Sequence, residues 1–426
     1  MFKNAAASNA AFLNAFTSGE TVAQIKATVP NFFPPGMVAV EKQTHSPQYQ
    51  RWSLQLQQAI GANTSMSIGY FGHHGIHELV VNPNANAWGF GSLPSGRCTE
   101  PVPDCAPDPR FSGVTQYNTN AVSNYNGMVT SFQHRFSRWT QGLFQANYTF
   151  GHAFDEVSNG GLFTFANGNN KPVSLFPQDP NNLRDNYGPA EYDVRHSLNA
   201  NYVWEVPVKS AMGGRGPDSL VKGWQVSGTI FIRSGLPYTV LDFLEPGNLA
   251  ANNYFGLLYA VPVSPLVSGS SCGKGAAIPL APHPCQPVEF FIHPDGTTTL
   301  NPNARFVQAG CETGFNIGRL GRTGVCDGPV VSFAQGRNRF RAPGYFSTDF
   351  TIMKSTKISE TVTFGIGFQL FNLFNHPNFG FPDTGLPSPV LGMIGSLQQP
   401  PTSILGSGLG GDVAPRMIQL KAELKF

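Results

Sequence analysis

Apolar and polar residues alternate along many segments of this chain. In Gly142–Phe150, the side chains of Phe144, Ala146, Tyr148 and Phe150 share one face, and polar side chains occupy much of the other. The same alternation recurs in His196–Val206, Trp224–Ile232, Val362–Leu370 and Arg416–Phe426. Because side chains alternate between the two faces of a β-strand, the pattern predicts strands of roughly 9–11 residues, long enough to cross a bilayer. Strands of soluble sandwiches are shorter, typically ~5–6 residues.

The connections between the predicted strands are short at one end and long at the other. Short turns are predicted at Gly61–Asn63, Ser137–Gln141 and Ile358–Glu360. The long segments are rich in Gly and Pro: Val81–Val122, Asp155–Asp193, Ser234–Arg341 and His376–Pro415. This asymmetry is typical of outer-membrane β-barrels, which have short periplasmic turns and longer extracellular loops.

The composition favours a membrane barrel over a soluble domain. Only 12% of the 426 residues are charged, about half of the ~25% that is usual in soluble domains. The mean hydropathy is −0.15, and no apolar run reaches the ~18 residues that suggest a spanning helix. A closed barrel is the other fold that satisfies its backbone hydrogen bonds in lipid. The net charge of +2 gives no reason to expect nucleic acid as a partner.

We therefore predict an all-β protein, an antiparallel transmembrane β-barrel with long extracellular loops. About ten strands can be counted by alternation, including one near Val38–Gln43, and we expect them to be part of a larger barrel. Residues 1–37 are expected to form an incomplete N-terminal loop or strand region, and residues 38–426 the C-terminal part of the barrel. The first residues lack the apolar segment of a secretory signal, so we expect the chain to be a fragment.

Several stretches of the chain resemble a known family. They are Gln50–Gln57 with Ile68–Gly72, Tyr125–Gly127 with His134–Ser137 and Tyr148–Phe150, Tyr187–Pro189 with Asp193–His196, Gly223–Gly228 with Ser234–Pro237, and Arg341–Gly344 with Phe371–Gly380. In this order they resemble the TonB-dependent receptors of the Oar-like type. The resemblance extends from about Val38 to Phe426.

The resemblance implies a barrel of roughly 22 strands that is closed by an N-terminal plug, and we expect no plug domain within residues 1–426. It also implies ligand uptake across the outer membrane, driven by the TonB complex through the missing plug. The expected partners are outer-membrane lipid and lipopolysaccharide, the barrel-assembly machinery, the TonB complex and a ligand that the sequence does not name. The alternative function is a structural or adhesive barrel without energised transport.

All six cysteines fall in the predicted long loops, as three pairs of neighbours. These are Cys98 and Cys105, Cys272 and Cys285, and Cys311 and Cys326. Six cysteines allow 15 pairings, and short loops close at the lowest entropic cost. We predict three disulfides between the neighbours, formed in an export compartment. The alternative, a zinc site, lacks the ligand spacing of zinc fingers and ribbons.

Three histidines, His73, His74 and His77, directly follow a predicted strand. Imidazole nitrogens are common metal ligands, so these residues are candidates for a metal site at the base of a loop. The alternative interpretation, which we favour, is an exposed polar turn without a metal. We expect no cofactor.

Charged residues cluster next to the predicted strand ends. Arg337, Arg339 and Arg341 are candidates to contact an anionic ligand or lipopolysaccharide phosphates. The alternative is ordinary ion pairing at the barrel rim, where Asp155-Glu156 also lies. Asp193 and Arg195 are expected to pair with each other across the barrel wall.

The last residue, Phe426, occupies the final apolar position of an alternating strand. A terminal aromatic residue in this position resembles the C-terminal signal by which outer-membrane barrels are recognised for assembly. The sequence contains no G-x-S-x-G, H-E-x-x-H or Walker motif. We therefore expect no catalytic residues and no enzymatic activity.

Overall fold

The computed structural model describes most of the predicted strands and parts of the segments between them. The described residues are 2–28, 34–82, 85–86, 107–111, 113–136, 141–158, 182–242, 258–259, 261–262, 290–292, 298–300, 306–307, 337–386, 392, 394–398 and 416–426. Among them, no helix is both long and apolar enough to cross a membrane.

One antiparallel sheet contains the long strands of the molecule. These are β2 (Gln48–Ile60), β3 (Thr64–Asn82), β4 (Val114–Phe136), β5 (Gly142–Asp155), β7 (His196–Glu205), β8 (Trp224–Arg233), β17 (Tyr345–Lys357), β18 (Thr363–Phe371) and β20 (Met417–Lys425). They lie side by side in this order, so that each long strand is hydrogen-bonded to the next one along the chain. The predicted all-β, antiparallel architecture is confirmed.

The remaining strands are short. They are β1 (Met37–Val40), β6 (Gly188–Pro189), β9 (Pro237–Tyr238), β10 (Leu241–Asp242), β11 (Leu258–Tyr259), β12 (Val261–Pro262), β13 (Phe290–Ile292), β14 (Thr298–Leu300), β15 (Phe306–Val307), β16 (Phe340–Arg341) and β19 (Gly385–Leu386). β1 corresponds to the strand predicted near Val38–Gln43, but it pairs in parallel with the start of β4. It therefore lies outside the meander of long strands.

The register places the predicted apolar residues on a single face of the sheet. Even-numbered residues pair with even-numbered residues across the membrane part of every long strand, as in Leu54 opposite Tyr70 and Phe368 opposite Leu420. Many of these side chains are exposed, including Leu54 at 67% and Phe368 at 51%. We call the even-numbered side the apolar face and the odd-numbered side the polar face. In a bilayer the apolar face contacts lipid, so the polar face points towards the barrel interior.

Two strands extend further than the alternation predicted. β3 continues through the three histidines to Asn82, and β4 already begins at Val114. The long loop predicted at Val81–Val122 is therefore shorter at both ends. A register shift between Gly75 and Glu78 marks a β-bulge. Such a bulge adds residues to one strand, which interrupts the alternation of side chains without ending the pairing of the strands.

The N-terminal residues contain helices rather than the expected loop or strand. α1 covers Phe2–Thr17 and α2 covers Val22–Thr28. α1 is rich in Ala, the residue with the highest helix propensity. Phe12, Ala15 and Ile25 form a small buried cluster, against which Phe111 also packs. This contact explains why the segment does not join the sheet as a strand.

The buried hydrophobic side chains of the sheet lie mostly at the end that carries the long loops. One cluster contains Val80, Ala121, Val157 and Leu183. A second contains Leu236, Ala342 and Phe381. The opposite end carries the short turns and one longer connection, in which α3 (Val208–Ala211) and α4 (Asp218–Val221) link β7 to β8. We call these the loop end and the turn end.

Candidate functional site

The polar face forms a wall of mostly uncharged hydrogen-bonding groups. Gln55, Asn147, Asn199 and Thr229 are representative of the odd-numbered positions in the central part of the strands. Hydroxyl and amide side chains each provide donors and acceptors. The wall can therefore hydrogen-bond to water or to a polar solute, and charged side chains of both signs, such as Arg51 and Asp349, lie among these groups.

A buried arginine at the loop end joins three segments of the chain. Arg337 is 0% exposed and forms an ion pair with Asp155. Its guanidinium also donates to the backbone oxygens of Asp155 and Asn186, at 2.8 and 3.2 Å, and to Ser158 Oγ at 3.1 Å. Burial lowers the pKa of Arg337 to about 9, which leaves the guanidinium protonated at neutral pH.

Neighbouring residues extend this arrangement, which we call the latch: Asp155, Ser158, Asn186, Asp193, Arg337, Asn338 and Arg341. Asn338 donates from its side chain to the backbone oxygen of Pro189 at 2.8 Å, and its backbone N–H donates to Thr239 Oγ1 at 2.8 Å. Arg341 forms an ion pair with Asp193 and donates to its backbone oxygen at 3.0 Å. The latch therefore fixes segments from different long connections against each other.

The latch decides between the alternatives for the arginine cluster. Arg337 and Arg341 form ion pairs with protein carboxylates, so ion pairing at the rim is confirmed for both. Arg339 is exposed. The expected pair of Asp193 and Arg195 is wrong, because Asp193 pairs with Arg341, and Arg195 Nη2 lies 2.5 Å from His152 Nε2.

Aromatic rings cover part of the polar face just below the latch. The ring of Tyr125 lies over Gly127 and Gly151, where an added Cβ would meet its atoms at 2.2 and 2.7 Å. Gly127 and Gly151 are directly paired between β4 and β5. The ring of Phe71 lies over Gly69 in the same way, at 2.9 Å. Since these glycines have no side chains, the rings can approach the backbone of the wall closely.

His73 and Tyr49 complete this aromatic group. His73 lies opposite Tyr125 in the register, and its ring centroid is 5.2 Å from that of Tyr49. The Nε2 atom of His73 is shielded from solvent and has no hydrogen-bond partner among the described residues. We call Tyr49, Phe71, His73 and Tyr125 the aromatic platform. Tyr49 is 52% and Phe71 36% exposed, so both side chains are partly accessible.

The three candidate metal-binding histidines do not converge. His73 points to the polar face, whereas His74 lies on the other face, where its Nδ1 is 2.7 Å from Asn124 Oδ1. The ring of His77 lies 4.8 Å from that of His45. Within the described ranges, no group of three or more His, Cys, Asp or Glu side chains is arranged to hold a metal. The favoured interpretation as a turn is also wrong, since the segment belongs to β3.

The cysteine predictions lie outside the described residues. Cys98, Cys105, Cys272, Cys285, Cys311 and Cys326 all fall there, so the three disulfides stay a prediction. Phe426 is described and 91% exposed. It follows β20, whose apolar residues pair with those of β18, and its role in assembly also stays a prediction.

The turn end contains a cavity of about 800 Å³ on the polar side of the sheet. Lys209, Lys222 and Glu423 are among the residues that line it. Lys209 and Lys222 both donate hydrogen bonds to Asp218, and these bonds hold the pKa of Asp218 below its usual value. Lys421 and Lys425 of β20 form ion pairs with Glu423, so most charges around the cavity are paired.

The chain was compared with protein families, curated proteins and solved structures, and the family comparison agrees with this architecture. A family model described as outer membrane beta barrel domain matches residues 2–419. None of the curated proteins shows significant sequence similarity to the chain. Among solved structures, the outer membrane transporter YddB from Escherichia coli aligns with a TM-score of 0.43 and 8% identity, over 92% of this chain and 34% of that one. The chain thus spans about a third of the length of that transporter.

Proposed function

The chain belongs to the outer membrane β-barrel domain family, and on that basis we propose that it is the C-terminal part of the barrel of a TonB-dependent receptor for ligand uptake. The location in the outer membrane follows from the family. We also propose that the uptake is energised, and that the TonB complex drives it through a plug. In this function the chain binds its ligand and does not alter it chemically.

The observation that supports uptake is the continuous polar face. It runs from the latch at the loop end to the cavity at the turn end, and its central part is lined mostly by uncharged polar side chains. A wall of this kind offers a solute hydrogen bonds along the whole membrane span. The latch holds the bases of the loops in fixed positions, which would keep a binding surface preorganised.

The proposal also includes partners that follow from the location. The exposed apolar face would contact outer-membrane lipid, and arginines at the loop end would lie near lipopolysaccharide phosphates. Exposed Arg339 is the described member of the cluster that is available for this contact. β20 with Phe426 would be the segment that the barrel-assembly machinery recognises.

A second function is favoured by the latch itself. Fully buried ion pairs such as that of Arg337 and Asp155 fix loop positions, and rigid loops suit a barrel that contacts surfaces or stabilises the outer membrane. In this structural or adhesive alternative, no ligand crosses the barrel.

Solute depletion by living cells tests the two functions. Cells that carry the native gene, a deletion of it, or a deletion of TonB would be grown in the same medium, and the remaining solutes measured by mass spectrometry. Uptake predicts at least one solute that is depleted more slowly in both deletion strains. Depletion that is unchanged in both strains, together with weaker adhesion or a leakier outer membrane in the gene deletion, would support the structural alternative.

A further inference from the structure

We propose that the outside of the sheet at the loop end is a docking surface for the phosphorylated sugar head group of an outer-leaflet glycolipid. The inference rests on the proposed contact with lipopolysaccharide, not on uptake, and it places that contact on the strands rather than on Arg339. Six side chains on the even-numbered side of β3, β4, β5 and β7 form this surface, which we call the outer belt: Tyr70, His74, Asn124, Asn126, His152 and His196.

Hydrogen bonds between neighbouring strands fix the side chains of the outer belt. The hydroxyl of Tyr70 donates to Asn126 Oδ1 at 2.6 Å, and His74 Nδ1 lies 2.7 Å from Asn124 Oδ1. All four residues have even numbers, so these contacts lie on the face that carries the lipid-exposed apolar residues. Because polar groups are costly in hydrocarbon, the outer belt should lie at the level of the lipid head groups.

Two exposed side chains of the outer belt keep polar atoms available for a ligand. Asn126 accepts the hydrogen bond of Tyr70 through Oδ1, which leaves its Nδ2 without a partner among the described residues. His196 Nδ1 lies 2.8 Å from the hydroxyl of Tyr148, so Nε2 is the nitrogen that remains for a ligand. In the register, Asn126 lies directly opposite His152 and His196 diagonally from it. Neighbouring N–H donors of this kind suit the oxygen atoms of a phosphate.

The charge around the outer belt favours an anion. Arg195 Nη2 lies 2.5 Å from His152 Nε2, and Arg195 has no carboxylate partner within the described part of the chain. Asp193, which lies 3.3 Å from His152 Nδ1, is 1% exposed and pairs with Arg341. The even-numbered positions of residues 66–76, 124–132, 144–154 and 196–204 contain no Asp or Glu. An anionic head group would therefore meet Arg195 without facing an exposed carboxylate on these strands.

The outer belt continues directly into the apolar part of the same face. Ile68 and Phe132, on the turn-end side of the belt, are 43% and 36% exposed. An amphipathic molecule can cover both regions, with acyl chains on Ile68 and Phe132 and a polar head group on the belt. The long loops of such barrels are extracellular, so the belt lies in the outer leaflet. The glycolipids of that leaflet carry phosphorylated sugar head groups, which match the donors and the charge of the belt.

Lipid binding to the purified protein tests this inference. The full protein would be extracted from outer membranes into detergent and titrated with single lipids, and the bound lipids would be counted by native mass spectrometry. The probes are bisphosphorylated lipid A, monophosphorylated lipid A and phosphatidylglycerol, which has a phosphate but no sugar. We expect bisphosphorylated lipid A to bind at least about tenfold more tightly than phosphatidylglycerol, with the monophosphorylated form between them, because each lost hydrogen bond to a charged group costs about tenfold in affinity or more.

Variants locate the binding on the outer belt. Asn126→Leu and His196→Leu should each weaken binding of bisphosphorylated lipid A by about tenfold, the size of one lost hydrogen bond to a phosphate. Both changes place an apolar side chain on the lipid-exposed face, so folding should be maintained. His134→Leu is the matched control, because His134 Nδ1 lies 2.7 Å from Thr64 Oγ1 on the same face but at the turn end. It should leave the affinity unchanged, and heat-modifiable migration in gels confirms that each variant is folded.

Three outcomes would overturn the inference: phosphatidylglycerol binds as tightly as lipid A, His134→Leu weakens binding as much as His196→Leu, or a second protein chain co-purifies with the wild type and is lost from His196→Leu. Arg339→Met separates the outer belt from the proposed contact of Arg339. Weaker binding in Arg339→Met with unchanged binding in both belt variants would support that contact and contradict the outer belt. Lipid binding in detergent needs no TonB, so the depletion experiment can fail without affecting the outer belt, and the reverse.

Discussion

Arg337 illustrates how much a single buried charge can determine at the loop end. Its guanidinium is 0% exposed and is surrounded by Asp155, Ser158 and the backbone of Asn186. Bringing a charge into such a position is costly, and the cost is offset only if every donor has a partner. The latch therefore depends on Arg337 more than on any exposed charge nearby.

Substitution of Arg337 by Met should strongly destabilise the protein. The change leaves the carboxylate of Asp155 buried without its counterion, which typically costs about 3–5 kcal/mol. The free energy of unfolding in urea, measured on the full protein extracted from outer membranes into detergent, checks this expectation. Arg339→Met is the matched control, since Arg339 is exposed and its loss should cost no more than about 0.5 kcal/mol. Equal effects of the two substitutions would contradict the role assigned to Arg337.

Glu156 gives the loop end a pH dependence. Burial raises the pKa of its carboxyl above the usual value of 4.5, although the N–H of Val122 donates to it at 3.0 Å. Between the ordinary and the raised pKa the folded protein binds a proton that the unfolded chain releases. Stability therefore falls as the pH rises through this window and stays lower above it.

Replacing Glu156 by Gln should stabilise the protein at neutral pH. The amide oxygen can still accept the hydrogen bond from Val122, and no charge is left to desolvate. Urea unfolding at pH 5 and pH 7.5 would show a smaller difference between the two pH values for Glu156→Gln than for the wild type. A variant that is less stable than the wild type at pH 7.5 would show that the charge itself is needed.

At the scale of elements, alternation predicted the faces of the strands but not all of their ends. Every apolar position identified in segments such as His196–Val206 lies on the apolar face, because a period of two can be satisfied by only one register between neighbours. The ends of β3 and β4 were missed because the bulge after Gly75 breaks the period. Whether pairing continues past a bulge depends on the partner strand, which the local sequence does not specify.

Candidate side chains were recognised from sequence better than their partners. The spacing of Arg337, Arg339 and Arg341 identified these arginines as candidate residues. It did not predict their partners, because Arg337 contacts residues about 150 to 180 positions earlier. No local pattern encodes such contacts. The platform was not identified from the sequence because Phe71 and Tyr125 are aromatic residues at odd positions, where the alternation predicts polar residues. The glycines that they cover, on the same and the neighbouring strand, are the signal that would have identified them.

Gly235, which follows the end of β8, should not tolerate replacement by a residue with a side chain. An ideal Cβ on Gly235 would lie 1.6 Å from the backbone oxygen of Ala342, where the segment before β17 returns past it. Gly235→Ala must therefore separate two backbones, and overpacking of this kind costs about 1–3 kcal/mol or more. The amount of heat-modifiable protein in outer membranes is the measurement. Gly113→Ala is the control, since nothing lies within 4 Å of its added Cβ. Normal assembly of Gly235→Ala would contradict this account.

At the scale of the whole molecule, the direction of the strands limits how the barrel can close. The long strands alternate in direction from β2 to β20, and the path contains nine of them. β2 and β20 therefore run the same way, and joining them directly would create a parallel pair. Bacterial single-chain barrels contain an even number of antiparallel strands. An antiparallel barrel with an even number of strands therefore requires an odd number of further strands in addition to these nine.

The 426-residue chain expressed alone should therefore fail to form a stable barrel. Among the described strands, β2 pairs only with β3 and β20 only with β18, which leaves one backbone edge of each without a partner. Each unpaired N–H or C=O group costs several kcal/mol in lipid, and the two edges present a whole row of them. We expect aggregation in detergent and poor insertion into liposomes, measured by size-exclusion chromatography and flotation. A monodisperse species with heat-modifiable migration would show that the two edges find partners without additional strands.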